Sequence, residues 1–368
     1  MLISTRLHGV IDYAAAALLG SLSQARALPS PVRAALGTAS AYHTSYAMVT
    51  DYEAGFRPVL TMRQHLALDA AGAAALCGAG LLMRRQPPGA RALLIGAGLA
   101  ELAVVALSSA QPSSGPRQGF KAASPDQVGY PPLDTPKPVA EGVHVVDSEM
   151  QTGIGLVLPV RMTVIQLRDG SLLLHSPTRF TESLRREVEA LGRVRHLVAP
   201  NVAHWVYLKA WQEAFPTATT WAAPGLRERS QVRKSGVRLD HDLGDTAPAA
   251  WGDEIETVVV PGGLGFREVA LFHRTTRTLL LTDLVLNLEE RSLPAPLRLL
   301  ARLFGMTTPD GMPPPYLRAI IKLRRQAAEE AASRLLTLRP ERVVFAHGRW
   351  FQENGTAALR RSLRWLVD

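Results

Sequence analysis

Two stretches in the N-terminal third carry the same chemistry at the same spacing. Arg6-Leu7-His8 with Asp12 matches Arg63-Gln64-His65 with Asp69, an offset of 57 residues. Ala14 to Leu19 matches Ala71 to Leu76, and Pro31 matches Pro88. In the shared R-x-H-x-x-x-D pattern the imidazole and the carboxylate lie four apart, on one face of a helix. Two such pairs, with His43 and Glu101, offer the donors that bind a metal ion or haem, or that relay protons. His8, Asp12, His65 and Asp69 are therefore candidate cofactor ligands. The plainer alternative is that each Asp orients its His and ties two helical hairpins together, with His43 packed between helices.

The elements that must position these pairs are apolar and rich in Ala, Leu and Gly. Leu7–Leu22, Val32–Thr50, Leu66–Met83 and Ala92–Ala110 are separated by charged or turn-forming segments at Arg26–Pro31, Asp51–Arg63 and Arg84–Arg91. Each stretch is about the length that crosses a hydrocarbon core of ~30 Å at 1.5 Å per residue, the first being short. Glycines inside them suit close helix packing in lipid. The expectation is an all-α four-helix membrane bundle over residues 1–110, made of two repeated hairpins. A water-soluble Ala-rich bundle is the alternative. Thr50-Asp51-Tyr52-Glu53-Ala54-Gly55, followed by Arg63, His65 and Asp69, resembles small uncharacterised bacterial membrane proteins with a T-D-Y-x-x-G loop before an H-x-x-x-D helix. That resemblance implies a lipid bilayer as partner and names no chemistry.

Composition narrows the field. Of 368 residues 47% are hydrophobic and 20% charged, which excludes a disordered or fibrous chain. One cysteine excludes a disulfide framework and CxxC motifs. The net charge is +9, but Arg far outnumbers Lys and no basic block occurs, so no nucleic-acid partner is expected. A Pro/Ser/Gly-rich tract over residues 111–138 reads as a linker. An even number of spans puts both termini on one side of a bacterial inner membrane. Arginine counting does not resolve which side. The absence of a secretory signal or a cysteine pair puts the following domain in the cytoplasm.

From 139 to 368 the pattern is α/β. Strands are expected at Met162–Leu167, Ser171–Leu174, His196–Ala199, Thr257–Val260, Val269–Phe272, Thr278–Thr282 and Arg342–Phe345. Helices are expected at Thr181–Leu191, Trp205–Ala214 and Tyr316–Leu338. The strand His196–Ala199 runs into Pro200-Asn201-Val202-Ala203-His204 and a helix. Later come Val260-Pro261-Gly262-Gly263, a strand pair ending in Asp283, and a strand ending in His347-Gly348. This order resembles the metallo-β-lactamase superfamily, which implies an αββα sandwich with metals at the strand ends.

Aligned on that resemblance, His204 stands at the last His of the H-x-H-x-D-H signature. Asp283 stands at the bridging Asp, and His347 at the final ligand. Ala199, Asn201 and Gly263 replace the three histidines of one metal, and Ala203 replaces the signature Asp. The implied site holds a single metal at His204, Asp283 and His347, with zinc or iron suited to that donor set. Three protein ligands leave a place for water, hence hydrolysis of an unidentified small-molecule ester, thioester, amide or phosphodiester. Asn201 is a candidate oxyanion donor, and His175 and Glu268 are candidate proton carriers. The alternative is a non-catalytic ligand-binding or sensory module reporting to the helical bundle. In a third reading the helical unit itself carries the haem, metal or proton.

Overall fold

The computed structural model describes residues 3–51, 59–109, 129–151, 157–293 and 295–367. Tyr52 to Gly55 of the expected loop and residues 111–128 of the expected linker lie outside them. The chain divides into a helical unit and a sheet unit.

The helical unit consists of α1 (Thr5–Leu22), α2 (Ser30–Ala47), α3 (Met62–Leu82) and α4 (Pro88–Leu107). Ser4 caps α1 by accepting the Leu7 N–H, and Thr61 and Gln64 form a reciprocal capping box on α3. Proline in the first turn starts α2 and α4. Length and apolarity sufficient to cross a membrane belong to α3 and α4, and α1 is a shorter apolar helix. Leu19, Val32, Leu36, Leu76 and Leu94 form the core between the helices. A Cβ on Gly98 would lie 2.5 Å from the Ala73 carbonyl oxygen, so α3 and α4 meet backbone to backbone.

The sequence repeat is also a structural one. Ile3 bridges to Ser108, and Leu60 bridges to Thr50. The start of each hairpin thus pairs with the end of the other.

In the sheet unit, β1 (Pro136–Ala140), β2 (Val143–Gln151), β3 (Val157–Gln166) and β4 (Ser171–His175) lead to α5 (Glu182–Leu191) and β5 (Arg193–Ala199). After these come α6 (Leu208–Ala214), β6 (Thr219–Ala222), α7 (Ser230–Ser235) and β7 (His241–Asp242). The second half holds β8 (Ile255–Pro261), β9 (Arg267–His273), β10 (Thr278–Leu280), β11 (Leu286–Asn287) and α8 (Ala295–Leu303). It ends with α9 (Pro315–Lys322), α10 (Arg325–Thr337), β12 (Arg342–Val344), β13 (His347–Gly348) and α11 (Gly355–Val367). β1 begins within the stretch expected as linker.

One sheet runs β1-β2-β3-β4-β5-β6-β7, a second runs β12-β10-β9-β8, and β11 pairs with β13. Side-chain alternation builds the layers. On β4, Leu172 and Leu174 pack with Leu184, Val188 and Trp211 of the covering helices. Leu173 points the other way, into a cluster with Val198, Val269, Leu271 and Leu280 between the sheets. The outer face of the second sheet packs Val258, Ala270 and Val343 on Ile321, Leu335 and Leu363. Helix, sheet, sheet and helix therefore form four layers with three apolar clusters between them.

The expected helix Tyr316–Leu338 is two helices, broken at Leu323 and Arg324. The Ile320 carbonyl accepts the Gly263 N–H at 2.7 Å, and the corner packs on that glycine. A Cβ at Gly263 would lie 2.4 Å from a Leu323 methyl. A side chain at position 263 would have no room beside this corner.

Candidate metal centre

His204, Asp283 and His347 come from three separate segments: the turn after β5, the turn after β10, and β13. The structure brings one donor atom from each to within 4.8 Å of the others. Both imidazole Nε2 atoms lie 3.3 Å from the same oxygen, Asp283 Oδ1. Ser176 Oγ is 2.7 Å from His204 Nδ1, and the Pro159 carbonyl is 2.9 Å from His347 Nδ1. A carbonyl only accepts, so His347 carries its proton on Nδ1. Its Nε2 faces the Asp283 carboxylate. Burial opposes charge on His204, but the Asp283 carboxylate outweighs it and holds the pKa above the usual value. Burial would raise Asp283. The charge of His204 and hydrogen bonds from both imidazoles instead hold it well below the ordinary range.

The surrounding groups brace this centre. Asn201 is fully buried, and its Nδ2 donates to Thr282 Oγ1 at 2.9 Å and Asp283 Oδ2 at 2.7 Å. Its Oδ1 accepts the N–H groups of Ala203 and His204. With both amide protons used, Asn201 orients Asp283 and has no donor left for an oxyanion. Glu268 is equally buried and accepts the backbone N–H groups of Thr282, Asp283 and Leu284 at 2.7–3.0 Å. Burial, then the nearby Asp283 charge, raises its pKa. It fixes the Asp283 turn from below, away from the open rim expected of a proton carrier.

His175 ends β4 inside the domain, and its Nε2 has no hydrogen-bond partner among the described residues. Burial, with His204 nearby, pushes its pKa down to about 3. Such a ring is neutral at pH 7, which does not suit the expected proton carrier. The unfolded chain protonates this histidine near pH 6.5 and the folded one only near 3, so stability is fully present above about 6.5 and falls as pH drops through that window. His175→Gln is expected to lessen the loss of urea stability between pH 7 and 5 by up to about 1.4 kcal/mol per pH unit. An unchanged slope would remove His175 as the cause.

Sequence reasoning gave Ser176 no role at the site, though Ser176-Pro177 was part of the resemblance, and left out the Pro159 carbonyl and Arg161. Ser176 sits at φ 55°, an unusual conformation for a serine, directly after β4. Arg161 Nη1 donates to the Phe345 and Gly348 carbonyls at 2.7 and 2.9 Å, and Nη2 lies 2.5 Å from Asp147. β3 thus clamps both sides of His347.

In the helical unit the structure also brings His8, Asp12, His65 and Asp69 together, with one donor atom from each inside 4.8 Å. His43, Asp69 and Glu101 form an adjoining group.

Residues 143–306, under half of the chain, match a family model described as a domain of unknown function (DUF4336). No curated protein matches the sequence. Among solved structures, a metallo-β-lactamase from Pontibacter korlensis is 16% identical, with 63% of this chain and 98% of that one covered at a TM-score of 0.44. The metallo-β-lactamase FIM-1 from Pseudomonas aeruginosa, in its mono-zinc form, is 12% identical, with 63% and 94% covered at 0.44. A metallo-β-lactamase from Hirschia baltica is 11% identical, with 63% and 96% covered at 0.43.

Proposed function

We propose that this protein is a membrane-anchored hydrolase whose sheet unit is a metallo-β-lactamase-like domain holding one zinc or iron ion at His204, Asp283 and His347. The observation that carries the reading is the convergence of two imidazole nitrogens on one carboxylate oxygen at the strand ends. The donors fit a single ion. Ala199 and Gly263 supply no ligand atoms, and the Leu323 corner fills the space beside Gly263. Asn201 and Glu268 hold Asp283 in place, while Ser176 and the Pro159 carbonyl orient the two rings, as outer partners of metal-bound histidines commonly do. When bound, such an ion lowers the pKa of water toward neutrality and so supplies a hydroxide nucleophile. The lengths and apolarity of α3 and α4 support the membrane anchor. The proposal sets the sheet unit on the cytoplasmic side of a bacterial inner membrane.

Metal analysis of detergent-purified full chain tests this. The wild type is expected to carry one ion more than the His204→Ala/His347→Ala double variant. It is also expected to cleave at least one member of a chromogenic ester, thioester and phosphodiester panel that the double variant leaves intact. Equal metal content in the two proteins would rule out the centre. In that case the triad is a closed His–Asp–His ion pair, and the domain is a ligand-binding or sensory module.

A further inference from the structure

We propose that the helical unit holds a second, independent metal centre, in which His8, Asp12, His65 and Asp69 bind one divalent transition-metal ion of the zinc class. His8 Nε2 lies 3.2 Å from Asp12 Oδ1, 3.0 Å from Asp69 Oδ2 and 3.1 Å from His65 Nε2. His65 Nε2 lies 3.0 Å from Asp12 Oδ2 and 3.3 Å from Asp69 Oδ2. Four donors placed tetrahedrally at ~2.0 Å from an ion stand about 3.3 Å from one another. Taken to the nearer Asp12 oxygen, five of the six pairs stand 3.0–3.3 Å apart, and one donor atom from each residue lies within 4.8 Å of the others.

The protons give a second argument. Ser108 Oγ donates to the Val104 carbonyl at 2.7 Å, so its contact with His8 Nδ1 at 2.6 Å must be one it accepts. Thr50 Oγ1 donates to the Tyr46 carbonyl at 2.7 Å, and it likewise accepts from His65 Nδ1 at 2.7 Å. Each ring therefore carries its proton on Nδ1. Both rings then turn Nε2 to a point that two carboxylates also face. Protonating both Nε2 atoms would set two N–H groups against each other across 3.1 Å. A divalent cation balances both carboxylates and accepts all four lone pairs.

Outer contacts complete the site. Tyr46 OH donates to Asp69 Oδ1, and His43 Nε2 lies between Asp69 Oδ1 at 3.4 Å and Glu101 Oε1 at 3.3 Å. Asp69 thus gives one oxygen to the centre and the other to its supports. A cavity of about 180 Å³, lined by His8, Asp12, His43, Asp69 and Glu101 among apolar side chains, adjoins the site.

The test is a Co²⁺ titration of full chain in detergent, in the His204→Ala/His347→Ala background. One equivalent should bind, with the visible absorption of four-coordinate cobalt, and Zn²⁺ should displace it. Asp12→Asn/Asp69→Asn in the same background should abolish the bands. In the wild-type chain, Ser108→Ala/Thr50→Ala, which keeps all four ligands, should weaken one Co²⁺ site about 10–100-fold. Absence of Co²⁺ binding in the double-His background, or bands that survive the Asp changes, would overturn the proposal. Neither outcome depends on whether the sheet unit binds an ion.

Discussion

Replacing Arg161 by Met is expected to destabilise the sheet unit by about 3–5 kcal/mol, the range found when one partner of a buried ion pair is removed. Arg161 is 3% exposed and serves three acceptors at once: Asp147 and the carbonyls of Phe345 and Gly348. Methionine matches much of its length but donates nothing. Asp147 keeps Lys137 at 2.6 Å, yet both carbonyls lose their Arg161 donor inside the protein. Those carbonyls flank His347, so weaker ion binding should accompany the loss of stability. All six tryptophans lie in the sheet unit, so urea unfolding followed by tryptophan fluorescence reads this unit alone. A shift below about 1 kcal/mol would show that the His347 segment is held by other means.

Asp283→Asn should have the larger effect on the ion, lowering affinity at the sheet site more than about 100-fold, beyond the usual effect of losing an outer partner. Asp283 supplies the oxygen that both imidazoles approach, and Asn201 and Glu268 are spent on holding it there. An amide fits the same space without the charge. Because the carboxylate also raises His204, wild-type affinity should fall as pH drops below the raised value, where the ring takes up a proton that competes with the ion. In metal-free protein the His204–Asp283 pair adds stability fully below about pH 6.5 and loses it as pH rises through the raised value. The metal-free Asp283→Asn protein should therefore show its deficit on the acid side. Isothermal titration with Zn²⁺ at pH 6 and 8 and urea unfolding of metal-free protein measure the two effects. Unchanged Zn²⁺ affinity at pH 8 would remove Asp283 from the centre.

The readable parts of the sequence were those with a period or a chemical type. Short apolar runs located the central strands, and the His–Asp spacing marked α1 and α3 as related. The break at Leu323 was invisible because the residues around it favour helix; its cause is a distant glycine turn that takes the Ile320 carbonyl. The braces were hidden for another reason. The Pro159, Phe345 and Gly348 carbonyls belong to the backbone and leave no mark in residue type. Ser176, Thr50 and Ser108 are hydroxyls of a kind found everywhere. Asn201 and Glu268 were legible as polar groups near the site, but only the hydrogen bonds show that their capacity is already used.

The crossed bridges of the helical unit, Ile3 to Ser108 and Leu60 to Thr50, carry a consequence for its closure. Neither hairpin supplies the partners for its own first residues, nor more than half of the four donors. A polypeptide bearing a single copy would have to meet a second molecule to close the same ring. Two copies joined in one chain close it without a second molecule and leave the halves able to differ, as His43 and Glu101, facing each other from opposite hairpins, do.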